Sequence, residues 1–265
     1  MTEQGTNGIA RPSVASLLLA PHHGREALST ATGFVVASED GRWWLITNWH
    51  VVAGRDPRTG RPLSQGGVPD RLRILHNLEA SLGRWTWRIE FLYDRDGTPR
   101  WLEHPEHGRA FDVVALELTD TRTVDFYPYD LEAMALPGGA ELAAGRVAQR
   151  LSIVGFPFGL AGGGAFAIWS QGTVATEAMI DFEDKPCFLI DSRTRPGQSG
   201  SPVIFYADGG TVRTTDGGEV PIAAPVELLL GVYSGRINEQ SDLGFVWRRV
   251  GIQEVVESGV PGSVD

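Results

Sequence analysis

The sequence contains a single cysteine, Cys187, so a disulfide within the chain is excluded. It also contains a single lysine among 23 basic residues, and 33 acidic residues bring the formal net charge to −10. Phosphate contacts need a basic surface, so we expect no nucleic-acid partner. The apolar run at 16–20 is too short for a signal peptide or a membrane helix. These absences predict a cytoplasmic protein without membrane contact, whose fold rests on its hydrophobic core.

Short apolar segments separated by turns dominate what is present, including 33 Gly and 16 Pro, and this pattern is typical of many strands. Asp40-Gly41 predicts a hairpin turn. We predict strands at 32–37, 43–47, 71–76, 85–93, 113–118, 151–154, 167–174, 187–190, 203–206, 228–233 and 244–246. Helical spacing occurs only near the C-terminus. The prediction is an all-β fold with two six-stranded antiparallel Greek-key barrels and a C-terminal helix.

The predicted organisation follows from these groups of strands. It comprises a tail at 1–14, a domain at 15–258 and a second tail at 259–265. Within the domain we expect an N-terminal barrel at about 28–120, a crossover at about 121–148, a C-terminal barrel at about 149–246 and a helix at about 247–258.

The stretch GQSGSPV (197–203) could be an ordinary turn or could hold a nucleophilic serine. A Gly-x-Ser-x-Gly elbow is excluded because Ser201 occupies its last position. No histidine follows Ser199, and all six histidines precede it. A serine needs a base to take its proton, and the base needs an acceptor that orients it. Any such partners of Ser199 must therefore lie upstream.

His50 and Asp112 are the best candidates for those partners. His50 follows a strand in TNWHVVAG, where the alternative is a structural histidine at the edge of the core. Asp112 opens the apolar strand FDVVALEL, where a charge must be paired or solvated. We expect His104 and His107 to be solvated, with a two-histidine metal site as the less favoured alternative. The prediction is therefore no metal and no other cofactor.

Five stretches in this order, TGFVVA, LITNWHVV, FDVVALEL, GFPFG with WSQGTV, and RPGQSGSPV, resemble the trypsin/chymotrypsin-like serine peptidases. The resemblance is strongest to their disulfide-free bacterial branch, the HtrA-type and glutamyl-endopeptidase-like enzymes, and it covers roughly 28–258. It implies a serine endopeptidase that acts on protein or peptide substrates. In that reaction Ser199 attacks the peptide carbonyl, His50 is the base and Asp112 orients it. The backbone N–H groups of Gly197 and Ser199 would form the oxyanion hole.

The resemblance also implies a substrate pocket, with one departure beside the serine. Its walls would be Arg193, Thr194, Arg195, Pro196, Tyr233, Ser234, Gly235, Arg236 and Gly244. Arg193 at the floor would favour acidic side chains, and the alternative is that Arg193 reaches solvent. Ser234 would hydrogen-bond to Asp112. Gln198 stands where zymogen-activated relatives have an aspartate that pairs with a freed N-terminus, so we expect no maturation of that kind.

Three further interpretations of function are open at this point. The chain could be a catalytically silent module that binds peptides in the same cleft. It could be a protease that needs an activating protein partner to form its oxyanion hole. It could also be the effector of a multi-gene stress or defence system that cuts one protein partner.

Overall fold

A computed structural model describes residues 8–64, 67–132, 136, 138–238 and 240–263 of the protein. The strands of its N-terminal half are β1 (Ser16–His23), β2 (Glu26–Ala27), β3 (Ala31–Ala37), β4 (Trp43–Thr47), β5 (Arg71–Leu78), β6 (Trp85–Phe91), β7 (Trp101–Glu103), β8 (Val114–Glu117) and β9 (Val124–Asp125). Those that follow are β10 (Arg150–Gly155), β11 (Ile168–Val174), β12 (Cys187–Asp191), β13 (Pro202–Ala207), β14 (Gly210–Arg213), β15 (Glu219–Ile222), β16 (Val226–Arg236), β17 (Leu243–Arg248) and β18 (Val260–Pro261). The helices are α1 (Pro12–Ala15), α2 (Trp49–Ala53), α3 (Arg249–Ser258) and a 3-10 turn at Pro157–Gly159.

The N-terminal half is an antiparallel sheet in the order β18-β7-β8-β4-β3-β1-β5-β6, with β2 on β1 and β9 on β5. The sheet curls so that β6 and β7 approach each other. Where they approach, the N–H of Arg100, just before β7, donates to the carbonyl of Leu92, just after β6, at 3.0 Å. Alternating residues of its strands fill the inside, among them the fully buried Leu19, Leu45 and Ile74.

The C-terminal half is a closed barrel of six strands in the order β10-β11-β12-β17-β16-β13. Its interior holds Ile153, Ile190 and Val203, all fully buried. Between β13 and β16 the chain forms the hairpin β14–β15, which begins at one Asp-Gly-Gly sequence (208–210) and turns at a second (216–218).

A third cluster of apolar side chains joins the two halves. It includes Phe34 from β3, Phe156 after β10, and Trp247 from β17, while Ile252 and Val255 pack α3 against it. A continuous core of this kind holds the two halves in one arrangement, so groups on facing loops keep fixed positions across the seam. Among the described residues no helix is long and apolar enough to cross a lipid bilayer.

The all-β prediction is confirmed, and each predicted strand overlaps an observed one. Seven observed strands were not predicted: β1, β2, β7, β9, β14, β15 and β18. In β1 the sequence SLLLAPHH lacks alternation because the strand is buried along most of its length, and it pairs with both β3 and β5. The N-terminal sheet therefore extends upstream of position 28. Part of the predicted C-terminal tail forms β18, which pairs with β7. Of the two predicted tails, residues 1–7 and 264–265 lie outside the described residues.

Candidate active site

The three predicted catalytic residues lie on opposite sides of the seam between the halves. His50 is on α2, directly after β4, and Asp112 lies just before β8, which pairs with β4. Ser199 is in the loop that enters β13 of the C-terminal barrel. Two hydrogen bonds from Thr32 of β3 hold this loop against the N-terminal half: its N–H donates to the Ser199 carbonyl and its Oγ1 to the Gly197 carbonyl, both at 2.8 Å.

Asp112 holds His50 by two hydrogen bonds. Its Oδ2 lies 2.7 Å from His50 Nδ1, and its Oδ1 accepts the His50 backbone N–H at 3.0 Å. The Asp112 carbonyl accepts from Asn48 Nδ2 at 2.6 Å, and the residue is only 4% exposed. An ionised carboxylate can only accept, so the proton of the neutral imidazole sits on Nδ1. Nε2 is then left as a proton acceptor.

The same pair sets the pKa of His50. Burial alone lowers this pKa, but the charge of Asp112 and its hydrogen bond outweigh burial, with a smaller contribution from Asp56. The net result is a pKa above the ordinary value of 6.5.

Ser199 and His50 line one cavity of about 240 Å³, together with Gly197 and Pro196. Ser199 is partly exposed. The hydrogen bonds recorded for the described residues do not include one between Ser199 Oγ and the His50 ring. Such contacts are commonly long before a substrate binds and tighten in the complex.

The backbone before Ser199 turns in a way that leaves two N–H groups without a hydrogen-bond partner among the described residues. The Pro196 carbonyl accepts the Phe158 N–H at 2.6 Å. The peptide between Pro196 and Gly197 is trans and planar, so the Gly197 N–H points to the opposite side. Neither the Gly197 nor the Ser199 N–H donates to another of the described residues.

Glycine is required at two positions of this turn. Gly197 has φ +93°, and a Cβ there would lie 2.3 Å from the Phe156 carbonyl oxygen. Gly200 has φ +83°, and a Cβ there would lie 2.0 Å from the Thr32 carbonyl oxygen. A side chain at Gly197 would therefore push the turn away from the Phe156 backbone, and one at Gly200 would push it away from β3 of the N-terminal half.

Gln198 is fully buried beneath the turn, and its amide is satisfied within the chain. Its Oε1 accepts the Arg195 N–H at 2.7 Å, and its Nε2 donates to Ser170 Oγ at 2.8 Å. The Ser201 N–H donates to its carbonyl at 3.0 Å. A neutral side chain thus holds the turn without a charged partner. Nothing in the sequence pointed to Ser170 or Thr32, because their contacts with the turn join strands far apart in the chain.

The predicted pocket is occupied by Tyr233. Its hydroxyl hydrogen-bonds to Thr194 Oγ1, and a Cβ at Gly244 would lie 2.4 Å from its ring. Tyr233 is 2% exposed, and burial, the largest influence, raises its pKa to about 12 despite this hydrogen bond, so the hydroxyl stays neutral. The prediction of Arg193 at the pocket floor is not supported, because Arg193 is exposed to solvent, which was the alternative.

The other predicted wall residues make separate contacts. Pro196 is exposed, and Arg195 turns its Nη1 back onto the Thr194 carbonyl at 2.9 Å. Ser234 Oγ accepts the Trp247 indole N–H at 2.9 Å. The predicted bond from Ser234 to Asp112 does not occur among the described residues.

A larger cleft of about 750 Å³ lies on the other side of His50. His50, Asp112, Ser234, Gly235 and Arg236 all line it. The two cavities share His50 and Leu63 in their linings, so they adjoin at the candidate triad.

His104 differs from its prediction. It is 2% exposed rather than solvated, and its Nε2 lies 2.6 Å from Glu254 Oε2 on α3. Burial lowers its pKa more than the contact with Glu254 raises it. Its ring also packs against that of His107, 4.8 Å away between centroids. Within the part of the chain that the structure describes, no group of three or more His, Cys, Asp or Glu side chains could hold a metal ion.

Comparison with known proteins identifies the family. No curated protein is similar enough to the chain to count as a match. The Rv3671c protease of M. tuberculosis, in its active form, is 14% identical, with 95% of this chain and 84% of that chain covered and a TM-score of 0.49. The serine endoprotease of Yersinia pestis is 12% identical, with 97% and 67% covered and a TM-score of 0.47. A model of the trypsin-like peptidase domain matches residues 31–212, more than half of the sequence. The chain therefore belongs to the family of trypsin-like peptidase domains and is a serine protease.

Proposed function

We propose that the protein is an endopeptidase that cuts protein substrates through a triad of Ser199, His50 and Asp112. The observation that carries the proposal is the doubly bonded Asp112–His50 pair beside the cavity that Ser199 shares with His50. This pair leaves Nε2 of the imidazole free to accept a proton at the edge of that cavity. A base held in this way is what a serine hydroxyl needs to become a nucleophile.

The first half of the reaction forms an acyl-enzyme. Ser199 Oγ attacks the carbonyl carbon of the peptide bond while His50 Nε2 takes the hydroxyl proton. The tetrahedral intermediate collapses, the C–N bond breaks, and His50 gives the proton to the leaving amine. The acyl group is then an ester on Ser199 Oγ.

The second half releases the product. A water molecule attacks the ester carbonyl, and His50 Nε2 accepts one of its protons. The C–O bond to Ser199 breaks, the proton returns to Oγ, and the new carboxylic acid leaves. Asp112 stabilises the imidazolium in both halves without taking the proton itself.

The oxyanion of each intermediate would accept hydrogen bonds from the N–H groups of Gly197 and Ser199. Each such donor contributes about 2.7–4 kcal/mol of transition-state stabilisation. The hydrogen bond from Phe158 to the Pro196 carbonyl supports a hole that is already open, because a flipped peptide would put this carbonyl where the oxyanion binds. A mechanism that waits for a partner to build the hole is correspondingly less favoured.

Gln198 supports activity without removal of N-terminal residues. The hydrogen bonds of its side-chain amide with Arg195 and Ser170 hold the turn that a charged pair holds in zymogen-activated relatives. We expect protein with residues 1–10 intact to be active. Activity that arises only after N-terminal trimming would contradict this part of the proposal.

Labelling with a fluorophosphonate probe, together with cleavage of fluorescent casein, tests the proposal. Wild-type protein should be labelled, and both Ser199→Ala and His50→Ala should abolish labelling and cleavage. Ser201→Ala is the matched control in the same loop, since its buried Oγ has no hydrogen-bond partner and its loss costs little. A folded wild-type protein that is neither labelled nor active, alone or with added protein partners, would instead indicate a silent peptide-binding module.

A further inference from the structure

The 750 Å³ cleft beside His50 carries an excess of positive charge. Four cationic side chains line it, against two carboxylates: Arg58, Arg109, Lys185, Arg236, Asp56 and Asp112. The chain as a whole is strongly acidic, with a net charge of −10. We propose that this cleft selects substrates with acidic side chains on the N-terminal side of the cut bond, an inference that rests on the proposed endopeptidase function.

Both carboxylates in the cleft already have partners within the chain. Asp112 is bonded to His50. Asp56 Oδ1 accepts the backbone N–H groups of Arg58 and Thr59 at 2.9 and 2.8 Å. These contacts stabilise the two carboxylates where they are, and they leave Arg58 and Lys185 as charged groups that an incoming ligand would meet.

Two of the cations, Lys185 and Arg58, are only weakly compensated. The acidic group paired with Lys185 is Glu183, 4.0 Å away and largely exposed, and a pair of that kind contributes little. Arg58 is exposed at the rim. A carboxylate from a substrate could therefore approach both side chains without displacing a strong internal pair.

Apolar side chains in the same cleft strengthen this effect. Leu63, Phe245 and Trp247 line it together with the cations. A bound peptide would cover these surfaces and exclude water, which strengthens the interaction between opposite charges. Complementary charge of this kind gives specificity and faster association rather than large affinity.

The end of β16 supplies a place for the substrate backbone. Pairing between β13 and β16 ends at Val232, whereas β17 continues along β16 as far as Arg236. One edge of residues 234–236 therefore faces the cleft and can pair with an extended peptide. Alternate side chains of such a peptide would point toward the cations.

This placement separates two selections. The lining of the cavity that Ser199 shares with His50 includes no arginine or lysine among the described residues, so it offers no cation to a side chain next to the cut bond. By the resemblance of the pocket walls, residues further toward the substrate N-terminus would lie along β16. We therefore expect acidic preference two to four positions before the cut bond and not at the position next to it.

A binding experiment tests this without depending on turnover. Ser199→Ala protein is mixed with fluorescein-labelled Glu-Glu-Glu-Ala-Ser-Ala or with its Gln-Gln-Gln counterpart, and anisotropy is measured at low and high salt. We expect the Glu peptide to bind roughly fivefold to tenfold more tightly at low salt, with the difference shrinking as salt is added. Adding R58Q/K185Q should remove most of the difference. Adding R95Q/R146Q, which changes the same charge at exposed sites outside the cleft, should leave it unchanged.

Equal affinity for the two peptides, or equal loss in both double variants, would overturn the inference. Fluorophosphonate labelling of each variant in the Ser199 background reports separately on the proposed function. Labelling with no acidic preference would refute the selection and leave the endopeptidase in place. Acidic preference without labelling would refute the endopeptidase and leave a peptide-binding cleft.

Discussion

Replacing Gln198 by methionine removes the two side-chain hydrogen bonds under the turn that precedes Ser199 while nearly preserving side-chain size. Gln198 is fully buried, so water cannot enter its place. The change leaves the Arg195 N–H and Ser170 Oγ without their present partners at 2.7 and 2.8 Å. The Gly197 N–H lies within this turn, so we expect the variant to lose oxyanion stabilisation.

The loss of stability of the turn depends on how exposed the two groups are that lose their partner, the Arg195 N–H and Ser170 Oγ. Both Arg195 and Ser170 are partly exposed, so water can replace some of what each loses. At the lower end of the cost of unpaired polar groups, the turn is destabilised by about 1–3 kcal/mol in total. A difference of 1.4 kcal/mol is a factor of about ten in a population. The labelling rate should thus fall roughly tenfold to hundredfold.

The assay is the second-order rate constant of fluorophosphonate labelling at 25 °C, with circular dichroism to verify that the variant is folded. Ser170→Ala removes only one of the two bonds and should give a smaller loss, which orders the series. A folded Gln198→Met protein whose labelling rate stays within about twofold of wild type would refute the argument that this amide holds the turn.

Three further changes test other parts of the site and the fold. Asp112→Asn should lower kcat/KM by roughly three to four orders of magnitude. Only neutral His50 accepts a proton, so the acid limb of the wild-type pH–rate profile lies above about pH 6.5. In the variant this limb should move to lower pH. An unmoved limb would argue against Asp112 as the source of the raised pKa. Tyr233→Val should open the space beside Gly244, so peptide-library cleavage should admit larger side chains directly before the cut bond, and an unchanged profile would contradict this assignment. Burial, foremost, lowers the pKa of His76 to about 4, so the folded protein keeps it neutral while the unfolded chain protonates it near pH 6.5. The free energy of unfolding is therefore at its full value above pH 6.5 and falls as the pH is lowered toward 4. Urea unfolding should give a free energy of unfolding about 2 kcal/mol smaller at pH 5 than at pH 7, and His76→Leu should reduce this difference.

Local patterns were enough to predict most of the strands and the candidate triad. The turn at Asp40-Gly41 forms as expected, with Gly41 at φ +83°. Ser199 could be recognised because its glycines lie within a few residues of it, and His50 and Asp112 because each adjoins an apolar strand. These signals are short-range, so they do not depend on how the strands are arranged.

Other features depend on pairs of residues far apart in sequence. His104 looked solvated in a polar loop, yet α3 brings Glu254 against its ring and buries it. Arg193 was expected to form the floor of the substrate pocket, but its side chain is exposed to solvent. Tyr233 lies at the predicted pocket instead, with its hydroxyl hydrogen-bonded to Thr194. No local pattern records such contacts, because the partners belong to different strands or helices.

The sequence by itself determined that the chain is an all-β serine protease, since alternating apolar segments, turn residues and three short motifs are each encoded within a few positions. Only the tertiary structure decided what surrounds the candidate triad. Packing of the two halves ties Thr32 to the Ser199 loop and gathers Arg58 and Lys185 into one cleft. Closure of the C-terminal barrel places Ser170 against Gln198. These neighbours meet only through barrel closure and the core between the halves, and both are properties of the whole chain.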